Sequence, residues 1–102
     1  MKIYKNNGEK SNVVEFFTPK TSGRNNVEIG SATMAANSES EWAAHKGDEY
    51  SYIVSGAITC CTETDTFELK AGDAIFTPAG ESHMSINKSD EDCFVIWIEV
   101  AL

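Results

Sequence analysis

Two histidines and one glutamate are the residues of this chain best suited to hold a metal ion. The 102-residue sequence has only two histidines, His45 and His83. His45 opens the stretch His45-Lys46-Gly47-Asp48-Glu49, and His83 lies in GDAIFTPAGESHMSIN, residues 72–87. On a helix, His45 and Glu49 would share one face at i, i+4. On an extended strand their even spacing also puts them on one side. Spacing alone does not choose between the two. The second stretch is more directive. Gly72-Asp73 suits a tight turn, and Pro78 cannot donate a ladder hydrogen bond, so a strand should stop there. Gly80 accepts a positive φ, which lets the chain reverse and start a new strand at His83. If both strands line one barrel, His45, Glu49 and His83 meet inside it. Two imidazoles and a carboxylate with open positions suit a divalent transition metal: iron, manganese, nickel or zinc. A single histidine more often just packs or sits at the surface. Here the chain's only two both stand where this geometry asks for them.

The elements that must position these residues read as strands. Val13-Val14-Glu15-Phe16-Phe17 is rich in β-formers and is closed by Pro19. Residues 21–26 form a loop on composition. Residues 27–36 are small and apolar, with Gly30 marking a bulge. Further strands are expected at 50–54, 57–62, 66–69, 74–77, 84–86 and 93–100. Short strands at this spacing argue for an all-β sandwich or barrel. Residues 38–46 are ambiguous, because Ser38 and Glu41 could form a helix capping box. Extended chain is favoured, since Gly47 and the β-rich run after it leave little room for a helix. If Glu49 points inward, so do Ser51 and Ile53, while Tyr50 and Tyr52 point away. Ser85 follows His83 inward by the same rule. Ser51 and Ser85 are therefore candidate substrate-binding residues. Their plainer reading is polar lining. Glu81 is a candidate general base or a solvated turn residue, and Trp42 and Trp97 are candidate pocket walls or core.

Composition narrows the partners. Sixteen acidic against eight basic residues give a net charge of −8, which repels phosphate backbones and argues against nucleic acid. No apolar run approaches the roughly eighteen residues of a membrane span. Residues 1–6 lack a signal-peptide core, so a cytoplasmic location is expected. Three cysteines without a CxxC spacing read as free thiols rather than a disulfide framework.

With these residues in view, the sequence resembles the cupin family. Gly72, Pro78, Gly80, His83 and Asn87 match every position of that family's second motif, and His45, Glu49 and Gly56 match part of the first. Phe67-Glu68-Leu69 leading into Gly72-Asp73 adds to the likeness. Two positions depart: Asn37 stands for the opening glycine, and Ala43 for the first histidine of His-x-His. The resemblance implies one domain over residues 1–102, a double-stranded β-helix (jelly-roll) barrel with motifs at 37–56 and 72–87. It also implies a homodimer, with N-terminal strands within 1–36 exchanged and Tyr4, Phe16 and Phe17 at the interface or in the core. Three functions follow from it. One is a metal-dependent oxygenase, isomerase or lyase acting on a small molecule. Another is a module that binds a small ligand without turnover. The last is an accessory cupin, similar to those of ethanolamine utilisation, whose metal site is degenerate or empty.

Overall fold

The structure, a computed structural model, describes residues 1–102. Its strands are β1 Val13–Phe17, β2 Val27–Met34, β3 Ser38–Glu39, β4 Asp48–Ser55, β5 Ala57–Thr62, β6 Thr66–Lys70, β7 Ala74–Thr77, β8 His83–Asn87 and β9 Cys93–Val100. They make a five-stranded sheet, β1-β2-β9-β4-β7, and a four-stranded sheet, β3-β8-β5-β6. Every pairing is antiparallel. From β4 onward the chain passes repeatedly between the sheets: β4, β7 and β9 lie in one, β5, β6 and β8 in the other. This is the expected all-β jelly roll.

Side-chain alternation builds the interior. Ser51, Trp97 and Gly30 are cross-strand neighbours, as are Ile53, Val95 and Ala32, and these rows face the opposite sheet. Tyr50 and Tyr52 point outward, each about half exposed at 49%. The closing strand β9 sits mid-sheet, between β2 and β4, and carries apolar side chains on both faces. One end of the barrel is packed shut by Ile53, Ile58 and Cys93, with Met34, Leu69, Ile75 and Val95 against them.

Residues 38–46 are extended. Ser38 and Glu39 pair with Asn87 and Ile86 of β8, and Ala43 bridges His83, so this backbone finds its partners across the sheet instead of within a helix. Asn37, in the place of the motif glycine, adopts φ 54°. That left-handed conformation is one asparagine tolerates better than most residues.

Two local expectations need correction. The bulge assigned to Gly30 lies in the neighbouring strand, where the β1–β2 register shifts between Glu15 and Phe17. Gly30 serves a different need. A Cβ there would collide with the Val14 carbonyl oxygen and the Trp97 ring, so the glycine makes room for the indole. The segment after Pro19 is also not all loop: one helical turn, α1 Pro19–Ser22, begins at the proline. The fixed φ of proline suits a first helical turn, and Gly23 ends it in the left-handed region, with φ 78°.

Candidate metal centre

Three segments bring the site together. Glu49 is the second residue of β4, His45 lies just before that strand, and His83 opens β8 in the facing sheet. Backbone bonds stitch the segments. Gly80 N–H donates to the His45 carbonyl at 2.9 Å, and Ala79 N–H donates to Asp48 Oδ1 at 2.9 Å. His83 and Ala43 exchange two backbone bonds of 2.9 Å each. The Pro78-Ala79-Gly80 turn is thus held against the segment that carries His45 and Glu49. Asp48 is the side chain that does this holding.

The three donors converge. One ligand atom from each of His45, Glu49 and His83 lies within 4.8 Å of the others. His45 Nε2 is 3.4 Å from Glu49 Oε2, and the two imidazole centroids are 5.0 Å apart. Ligands at about 2.0–2.2 Å from one ion stand roughly 3–3.5 Å from each other. Small side-chain rotations would therefore suffice for chelation. His83 Nδ1 is 2.9 Å from the Glu81 carbonyl oxygen, which can only accept. Nδ1 therefore donates, and in the neutral ring Nε2 keeps its lone pair, the orientation typical of a ligating histidine. The donor set fits a divalent transition metal.

Electrostatics at Glu49 point the same way. Burial raises its pKa above the ordinary carboxyl range. The two imidazoles pull it back, and Glu99, its cross-strand neighbour, raises it further. A carboxylate held at a desolvation cost beside two imidazoles is relieved by a cation.

The cluster opens into a cavity of about 720 Å³ between the sheets. Ser51 and Ser85 both line it, and so do Trp97 and Glu81. Trp42 does not: it is 52% exposed outside the cavity. Ser85 Oγ lies 3.7 Å from Cys60 Sγ, and burial pushes that thiol's pKa up, so Cys60 is a neutral wall residue. No disulfide forms among Cys60, Cys61 and Cys93. A smaller depression of about 480 Å³, lined by Lys70, Asp73 and Lys88 among others, contains none of the three donors.

The sequence profile of the cupin domain matches residues 30–99, which span both motif segments. The chain belongs to the cupin family. Solved structures share its shape at low identity. A cupin protein of Bacteroides fragilis is 21% identical, with 99% of this chain and 86% of that one covered and a TM-score of 0.76. A cupin domain of Bordetella pertussis is 20% identical, covering 88% and 92%, with a TM-score of 0.71. A Salmonella typhimurium protein provisionally named ethanolamine utilization protein Q is 19% identical, covering 86% and 67%, with a TM-score of 0.73. No curated protein matches by sequence. At these identities the shared feature is the fold.

Several contributors to this cupin's site were not anticipated from sequence. Asp48 was given no role from sequence, yet its carboxylate anchors the His83 loop. Glu81 acts on His83 through its main-chain oxygen. Glu39 and Glu41 border the cavity beside the edge strand β3. Such long-range placements leave no local signal. Only the adjacency of Asp48 to Glu49 was a hint.

Proposed function

We propose that this cupin holds a divalent transition metal (iron, manganese, nickel or zinc) with His45, Glu49 and His83 and presents it to a small molecule in the barrel. The observation that carries this is the convergence of the chain's only two histidines and Glu49 to within 4.8 Å at the end of an open cavity. A metal bound there would supply Lewis acidity toward a carbonyl, hydroxyl or water of the ligand. The chain's own residues do the rest. The Glu81 carbonyl fixes the His83 tautomer. Asp48 holds the loop in register. Ser51 and Ser85 offer hydroxyls to a ligand on opposite walls. The free thiols support a reducing, cytoplasmic setting.

A second reading is a non-catalytic ligand-binding or accessory cupin, and Ala43 favours it. Its backbone pairs directly with His83, so a side chain there could reach the cluster, yet alanine offers no donor. The test is titration of chelator-treated protein with iron(II), manganese(II), nickel(II) and zinc(II), alongside His83→Ala and Ala43→His variants. Metal chemistry predicts one equivalent for the wild type and none for His83→Ala. Adding a fourth donor with Ala43→His should tighten binding by about tenfold or more. Failure of the wild type to bind any of the four metals, with binding by Ala43→His alone, would establish the accessory reading.

A further inference from the structure

The charge of the cavity wall is one-sided. Glu39, Glu41 and Glu81 line its mouth and Glu49 lies deeper, while no lysine or arginine lines it anywhere. The only other ionisable nitrogens there are the two imidazoles. The three mouth glutamates are exposed, so they act on an entering molecule through a partly screened field. The walls are not polar throughout. The Trp97 indole lies over Gly30 on the inner face, and Phe67 lines the opposite sheet across from Cys60. Aromatic faces attract cations, most strongly for indole. A carboxylate or phosphate ligand would meet no Lys or Arg donor and would pass three like charges on entry.

From this we infer that the metal-free cavity takes a small organic cation, a protonated amine or a quaternary ammonium with a compact apolar body, and discriminates against carboxylates. The inference rests on the reading of this cavity as the ligand site proposed above. It does not depend on the metal. The mouth glutamates would draw the cationic head in, Trp97 and Phe67 would pack its apolar body, and Ser51 or Ser85 would accept or donate to a hydroxyl where the ligand carries one.

Three near-isosteric probes isolate charge: choline, neutral 3,3-dimethylbutan-1-ol and anionic 3,3-dimethylbutanoate. The quaternary nitrogen of choline cannot ligate a metal, so its contribution reports the protein's own field. Calorimetry and protein-observed NMR would be run on chelator-treated protein at low and high salt, and again after zinc loading. In the metal-free protein, choline should bind about tenfold or more tighter than the alcohol, and the carboxylate weakest of the three. The gap between choline and alcohol should narrow with added salt. The triple variant Glu39→Gln/Glu41→Gln/Glu81→Gln changes exposed side chains only and should reduce the preference for choline over the alcohol severalfold. No saturable choline binding, carboxylate binding as tight as choline in metal-free protein, or an undiminished choline preference in the triple variant would each overturn the inference. Absence of zinc binding in the same samples would sink the metal reading alone, since the charge preference is read without metal.

Discussion

Glu49 is pulled in two directions by its surroundings. Burial and the neighbouring Glu99 disfavour its ionised form, while His45 and His83 favour it, and burial is the largest of these. Its pKa in the fold is therefore raised above the unfolded value. Below the ordinary carboxyl range, near about pH 4, Glu49 is protonated folded or unfolded and carries no penalty. As pH rises through the raised folded value, the fold must hold a desolvated carboxylate, and stability is lost. Metal-free Glu49→Gln should then be more stable than the wild type at pH 8, and the gap in Tm should close as pH falls to about 4. Zinc should reverse the order at pH 8 by stabilising only the protein that keeps its carboxylate. Thermal melts of both proteins across pH, with and without zinc, check this. A wild type more stable than the variant at pH 8 without metal would contradict it.

At the scale of elements, β8 begins and ends at positions with different purposes. His83 opens it toward the cavity, and Asn87 closes it at only 1% exposure. Asn87 is fully occupied. Its Nδ2 donates to the Met34 and Glu91 carbonyls at 3.1 and 2.9 Å, and its Oδ1 accepts from the backbone and hydroxyl of Ser89 at 3.0 and 2.8 Å. These bonds tie the β8–β9 loop to the end of β2. Asn87→Leu should cost about 2–4 kcal/mol, because it leaves buried carbonyls and an N–H without partners. Denaturant unfolding measures this, and a loss below about 1 kcal/mol would show that water replaces the network. The same element shows what the sequence could reveal. Strand positions followed from β-formers and from turn residues such as Gly72-Asp73 and Pro78. The inward set Glu49, Ser51, Ile53, His83 and Ser85 followed from period-two alternation. What was hidden depends on partners distant in sequence. The irregularity read at Gly30 lies in β1, because the local pattern shows a glycine and not the indole it accommodates. Glu39 and Glu41 come to border the cavity through the long-range placement of the chain around β3 at the sheet edge, and nothing near them in sequence announces it.

The whole molecule has little apolar material sealed inside. Only Ile53, Ile58 and Cys93 are buried apolar side chains. Much of the rest lies on the outer face of the five-stranded sheet. Ile29, Ile98, Tyr50 and Phe76 form one cross-strand row there, with Tyr50 and Phe76 rings 5.0 Å apart and 49% and 53% exposed. Ile96 and Tyr52 continue it in the next row. A contiguous apolar face of this kind marks an association surface, and a stable dimer buries about 800 Å² per partner. The N-terminal aromatics are engaged differently, since Tyr4 packs on Phe16 within the chain at 5.0 Å. The homodimer expected from the sequence would therefore form through the outer sheet face. Light scattering should give about twice the 11.2 kDa chain mass for the wild type. Tyr50→Glu/Phe76→Glu should shift it to monomer by placing two carboxylates at the centre of the patch. The donors point to the opposite side of the sheet, so the variant should retain metal stoichiometry if the centre is complete within one chain. A monomeric wild type at tens of micromolar would refute the dimer. A variant that loses metal along with its partner, while circular dichroism shows the fold retained, would mean that the second copy completes the site.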